Sequence, residues 1–404
     1  MNIPFFTKKH KEHSLYEKNT IALDVGTEYV KAAIFKVVDG QVRIKGYAKA
    51  KQQSDAMKGA MIVDLQNVIE NCDMAIGEAL YGIEKEELPT HVVMGIAGEL
   101  VYGITIMAEY ERPNPEKKID QKEIDDAIAS VRKNSFPEAK TQIAEDMGLK
   151  QMNIEEIDSV ISDTFIDGYR VNNPIGFVGK SVNFRVFSTF SPSIHLSSLK
   201  SIVKTLDLEI ASIIVEPYAI ARSYRGSKAD NFSAIFVDIG GGTTDLALVE
   251  NGGVIGTKMF AVGGRVFTKR IEQTLGVGYE IAENKKIEYS LDTLDKLEKI
   301  KIAKVMTKDA RTLVRGIALS LEDFEEIENF PSSILMCGGG SLLPEIKAEV
   351  LNYPWLQELP FEKFPKFEFI HPEMIADVID DTKKIKDVTD VAVICLARMA
   401  LEKK

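Results

Sequence analysis

The chain has 404 residues, 45% hydrophobic and 27% charged, with a formal net charge of −11, which suffices for two to three domains or one bilobed unit with an ample core. The acidic balance argues against bulk nucleic-acid binding. No apolar run reaches the roughly 18 residues of a membrane span, and residues 1–6 are too short for the apolar part of a signal peptide.

In chain order, residues 1–20 read as a flexible tail. Its start, with Ile3, Phe5 and Phe6, runs into a cluster of Lys8, Lys9 and Lys11. An aromatic wedge beside basic residues is a short peripheral membrane signal, placed here at residues 1–11. Residues 21–27 are an apolar run ending in Asp24, then Gly26 and Thr27, the pattern of a buried strand entering a tight turn. Strands follow at 31–38 and 42–48 around the turn signal Asp39–Gly40. A helix is expected over 61–80, then a hairpin of strands at 92–97 and 101–108. After Pro113 and Pro115 a periodic helix runs from Asp120 through Val131. Residues 133–157 read as a polar, helix-prone surface elaboration. A strand at 182–190, a helix at 197–206 and a strand at 210–215 come next.

Residues 235–245 then repeat the opening pattern in longer form: an apolar run, Asp238, Gly240, Gly241, Gly242, Thr243, Thr244 and Asp245. Strands at 246–250 and 254–260 flank another turn, as they do after Asp24. Such an internal repeat means two similar lobes. Glycine lets a backbone approach an anion and offer its N–H groups to phosphate oxygens, while a carboxylate at each turn can orient the waters of Mg²⁺. Helices are expected over 265–275, 279–289 and 294–321. A glycine turn at Gly338, Gly339, Gly340 and Ser341 leads into a helix near Pro344 and suits close approach to a flat purine. The last segment, 389–402, reads as an apolar core helix. Cys72, Cys337 and Cys395 lie in apolar contexts, as buried reduced thiols do, and the five histidines form no metal or triad pattern.

The two aspartate–glycine turns, the segment Glu216, Pro217, Ala219 and Ala221, and the 338–344 turn resemble the two phosphate motifs, the connecting helix and the adenosine motif of the actin and sugar-kinase ATPase superfamily. Within it the chain is similar to the FtsA family, a bacterial actin of cell division. The closer likeness rests on Gly59 to Asp64, on Asp167 and Gly168 with Pro174, Gly176 and Gly179, and on Gly263 and Gly264 followed by Glu283 and Lys286. The resemblance implies an α/β, actin-like bilobed ATPase fold: two ribonuclease-H-like lobes around a nucleotide cleft. The first lobe would comprise 21–89 and 181–230, with a small α+β 1C-type subdomain inserted at 90–180. The second would be 231–404, with a reduced 2B-type subdomain at about 265–330.

The resemblance also implies roles. Asp24 and Asp238 would hold Mg²⁺ through water, and Gly26, Thr27 and Gly240 to Thr244 would meet the phosphates of ATP. Gly263, Gly264, Glu283, Lys286 and the 338–341 turn would serve ribose and adenine. For Glu216 two readings stand: a carboxylate that positions water for attack on the γ-phosphate, or a helix N-terminal acid beside Pro217. Glu283 and Lys286 read alternatively as an exposed helix charge pair. Arg265 departs from the family, which usually carries an acidic residue there. Lys301, Lys304, Lys308, Arg311 and Arg315 lie near helical spacing, as a face for an acidic peptide or a solvated basic face. The sequence ends at Lys404, after the expected core helix, so the family's C-terminal amphipathic helix is not expected. Function then divides between an ATP-binding, polymerising adaptor that links FtsZ to the inner face of the membrane and a PilM-type scaffold that binds a pilus membrane-protein peptide. A sugar or acetate kinase is a third reading, for which no catalytic base is evident.

Overall fold

The computed structural model of the chain describes residues 15–98, 101–130, 153–171, 173–224, 232–324 and 327–402, with residues 137 and 141. The membrane reading of residues 1–11 and most of the 133–157 elaboration lie outside them. From residue 15 the expected loose tail is packed: Tyr16 is buried, stacks on Phe35 and accepts a hydrogen bond from the Val37 N–H.

Alternating apolar residues build an antiparallel meander of β1 (Thr20–Val25), β2 (Tyr29–Val38) and β3 (Gln41–Lys51). Asp39 and Gly40 between the last two have φ of 51° and 76°, as a two-residue hairpin turn requires. The expected helix over 61–80 starts later. Residues 57–62 form a small hairpin of β4 (Met57–Lys58) and β5 (Met61–Ile62), and Asp64 caps α1 (Leu65–Ala79) by accepting the Asn67 N–H.

The expected hairpin at 92–108 does not form. β6 (His91–Ile96) is apolar on both faces and lies parallel between β1 and β11, as a central strand does. Gly98, with φ 100°, follows β6, and β7 (Tyr102–Glu111) joins a different sheet. Helix α2 at residues 121–130, β8 (Ile154–Ile166), β9 (Tyr169–Val171) and β10 (Ser181–Pro192) complete that excursion. The chain returns through α3 (Ser193–Thr205), β11 (Glu209–Val215) and α4 (Glu216–Ser223).

The second half repeats the plan with β12 (Ala234–Ile239), β13 (Thr244–Glu250) and β14 (Gly253–Phe260). Then come α5 (Gly264–Leu275), α6 (Tyr279–Ser290), α7 (Lys296–Glu322), β15 (Ser333–Cys337), α8 (Pro344–Asn352), α9 (Trp355–Glu358) and β16 (Lys366–Phe369). Five strands of each sheet share one order: β11-β6-β1-β2-β3 and β16-β15-β12-β13-β14. These are the two ribonuclease-H-like lobes. The second sheet continues through β7, β10, β8 and β9, so strands of the excursion extend it, joined at Thr257 opposite Gly103.

The stretch expected to finish the second lobe crosses back. β17 (Val378–Asp380) pairs with β3, and α10 (Val391–Arg398) packs on β1, β2, β6 and α4 within the first core. An ion-pair cluster fastens α4 there. Arg222 of α4 reaches Glu402 at 3.0 Å, and Arg398 of α10 reaches the same carboxylate at 2.5 Å. Burial alone would raise the Glu402 pKa, but the two guanidiniums hold it below the ordinary glutamate value. A depressed carboxyl pKa adds stability above the ordinary value that is lost as pH falls through the folded one. Glu402→Gln should therefore lower stability by about 2 kcal/mol at pH 7, since it leaves Arg222 without its carboxylate. The gap should shrink below pH 4, which urea titrations at the two pH values will measure.

Candidate functional site

The hairpins β1–β2 and β12–β13 end in equivalent four-residue turns, closed by the pairs Val25–Val30 and Ile239–Thr244. Antiparallel register then dictates which side chain stands opposite each turn aspartate. Asp24 faces Lys31, and Asp238 faces Asp245. The first pair is a buried salt bridge of 2.7 Å. The second places two carboxylates together, and Asp245 is stabilised by the Thr243 hydroxyl at 2.8 Å and the Gly98 N–H at 3.2 Å.

Both turns open on a cleft of about 310 Å³. Of the residues expected at a nucleotide site, Asp24, Gly26, Thr27, Glu216, Asp238, Gly240, Gly241, Thr243, Gly264, Glu283, Lys286, Gly338, Gly339 and Gly340 line it. Four others stand behind it. Gly242 abuts Thr27 and Gly59, the Thr244 hydroxyl donates to Val262 O, and Gly263 packs on the carbonyls of Gly240 and Gly241. The Ser341 hydroxyl closes its own turn on Gly338 O at 2.6 Å. The Gly240 N–H, expected to face phosphate, donates to Thr243 O within the turn. Glu283 and Lys286 are not an exposed pair: both are buried, 2.8 Å apart, and both touch the Thr268 hydroxyl.

Two glycines make room for the acids. At Gly338, φ is 82° and a Cβ would lie 2.1 Å from Asp238 Oδ1; at Gly95 a Cβ would lie 2.2 Å from Glu216 Oε1. Glu216, the first residue of α4, thus projects past β6 into the cleft that Asp24 and Asp238 also line. Burial raises its pKa well above the ordinary glutamate value, and Asp24, Asp238 and Asp245 raise it further against the pull of Lys31. Burial likewise lifts Asp238 to about 6. For Lys31 burial pulls the other way, but Asp24, Asp238 and Glu216 together hold its pKa above the ordinary lysine value.

This donor set is all oxygen and carries surplus negative charge, as a hard divalent cation prefers. Among the described residues no three such side chains are grouped closely enough to hold a metal directly. Sequence reasoning missed Lys31, Asp245, Gly95 and His195. His195 is buried against the cleft beside Ala97, and burial lowers its pKa. Carrying strand register across the first turn would have found Lys31.

The family model described as cell division protein FtsA matches residues 235–395. Cell division protein FtsA of Neisseria meningitidis serogroup B is 26% identical over 275 residues, which cover 68% of this chain and 62% of that protein, less than two thirds of its length. FtsA of Streptococcus pneumoniae serotype 2 is 22% identical over 353 residues, covering 82% and 73%. Among solved structures, the PilM–PilN type IV pilus biogenesis complex aligns with a TM-score of 0.64 at 15% identity, over 95% of this chain and 99% of that one. At that identity the likeness establishes the fold, which is the actin-like one.

Lys31→Met should cost about 3 kcal/mol of stability, because it strands Asp24 among like charges. Thermal melts should show Lys31→Met/Asp24→Asn closer to wild type than Lys31→Met alone.

Proposed function

We propose that this chain, an FtsA-like actin homologue, binds Mg²⁺-ATP in the cleft and acts as a polymerising adaptor of cell division. The observation that carries the reading is the convergence of two equivalent aspartate–glycine turns, one from each lobe, on a single cleft with Glu216 between them. Asp24 and Asp238 would hold the metal's waters. Lys31 would meet the phosphate charge, and Glu283 and Lys286 the nucleoside. Bound Mg²⁺ would supply charge neutralisation between the β- and γ-phosphates. Glu216 would orient a water for slow hydrolysis.

Two surfaces suit partners. On the 27-residue helix α7, Lys301, Lys304, Lys308, Arg311 and Arg315 are all exposed on one stripe, with Leu297 and Leu319 exposed at its ends. That pattern on an acidic protein suits an acidic amphipathic peptide, in this reading the C-terminal peptide of FtsZ. On the excursion, Tyr169, Phe177 and Val178 are exposed and suit contact with a second copy in a filament. Among the described residues no helix is long and apolar enough to cross a membrane. In this reading, contact with the inner face of the membrane belongs to residues 1–11 or to a partner. The PilM-type alternative shares the fold and is separated by the peptide that binds.

Asp238→Asn should weaken Mg²⁺-ATP binding at least about tenfold in calorimetry, by removing one side of the metal grip. Glu216→Ala should keep ATP affinity and lower whatever hydrolysis the wild type shows. Parallel pull-downs with the FtsZ peptide and a pilus-partner peptide should retain the FtsZ peptide. Retention of the pilus peptide alone replaces the division reading with the scaffold one.

A further inference from the structure

Arg265 sits in the first turn of α5, and α5 is bonded rigidly to the second aspartate–glycine turn. The Gly264 N–H donates to Gly240 O at 2.9 Å and the Arg265 N–H to Gly241 O at 2.8 Å. The Arg265 side chain leaves that lobe altogether. Its Nη1 donates to Met57 O at 2.7 Å, its Nη2 to Thr27 O at 2.6 Å, and its Nε to the Glu28 carboxylate. The Tyr279 hydroxyl, from α6 of the same lobe, donates to Glu28 Oε1 at 2.8 Å. Arg265 and Glu28 are both largely shielded, their side chains 12% and 10% exposed, so water screens the pair little.

The contact borders the cleft, its acceptor residues on the wall and Arg265 and Tyr279 outside the lining. Thr27, Glu28, Met57, Gly241 and Gly264 all line the cleft. The turns themselves touch: a Cβ on Gly241 would lie 2.5 Å from Glu28 Cγ, and one on Gly242 2.7 Å from Thr27 Oγ1. A planar guanidinium with three acceptors from the opposite lobe is a fork that a lysine cannot reproduce. The second Glu28 oxygen is buried without a hydrogen bond, which offsets part of the gain and keeps the contact reversible.

We infer that Arg265, Glu28 and Tyr279 form a clasp between the lobes that governs how fast nucleotide enters and leaves the cleft. The inference rests on the nucleotide reading of the cleft. A clasp across the passage slows association and dissociation alike, so its removal speeds both and moves the equilibrium constant little. A residue that only touched nucleotide would change dissociation and affinity together, and a purely structural one would lower the melting temperature with neither rate altered.

The test is stopped-flow binding of a fluorescent ATP analogue with Mg²⁺ to the full chain, with an excess of unlabelled ATP as chase. Arg265→Lys and Glu28→Gln should each raise both rates by about tenfold, equivalent to about 1.4 kcal/mol of barrier. Amide hydrogen exchange at residues 26–28 and 241–242 should quicken in Arg265→Lys while the β1 and β12 cores stay protected. Dissociation within about twofold of wild type in both single variants, with analogue binding intact, overturns the clasp and leaves the nucleotide reading standing. Failure of the wild type itself to bind the analogue overturns both.

Discussion

Four carboxyl groups and one ammonium share the floor of the cleft, and their placement in low dielectric constrains everything around them. Asp24 is paired with Lys31 at 2.7 Å, and buried Glu216 has its charge made costlier still by Asp24, Asp238 and Asp245. Such a cluster persists only where the backbone over-determines it. Glycines at 95 and 338 leave no volume for any other side chain, and Arg222 locks α4, which carries Glu216, to Glu402. The excess negative charge is what a hard divalent cation would relieve.

The asymmetry of the cleft comes from one difference between otherwise duplicate hairpins. Register puts the residue seven after each turn aspartate directly opposite it, and that residue is Lys31 in one lobe and Asp245 in the other. One lobe therefore brings a paired, near-neutral turn and the other an acidic turn whose charge is met by a hydroxyl and a backbone N–H. A symmetric duplication would have met itself with either two ammoniums or four unscreened acids. The substitution at a single register position makes the two halves complementary.

Much of this was legible in the residues. Both aspartate–glycine turns and the 338–341 turn carry local signals that need no tertiary knowledge, an apolar run and glycines, whereas the burial of Glu283 and Lys286 does not show in their helical spacing. What was hidden depends on contacts distant in sequence. Nothing local shows that β6 lies between β1 and β11 instead of pairing with β7, because an apolar strand reads alike in either place. Gly95 carries no turn signal, and its meaning is a contact with a carboxylate more than a hundred residues away. Thr244 and Ser341 share the signature of their neighbours, yet their hydroxyls are spent on local carbonyls. Arg265 was noticed as a departure, while its partners on the other lobe were not.

The return of β17 and α10 to the first sheet has a consequence for how the protein is made. The first lobe begins with β1, but its core is filled by residues of α10 such as Val393, Ile394 and Leu396, synthesised more than three hundred residues later. On a ribosome that adds about 5–20 residues per second, the second sheet's own five strands emerge complete while the first still lacks a wall. Until then Ala22 and Val93, which share the face of Gly95 that Leu396 covers, have no permanent cover. The order of synthesis therefore runs opposite to the order of completion, and the half that starts first is the half that stays open longest.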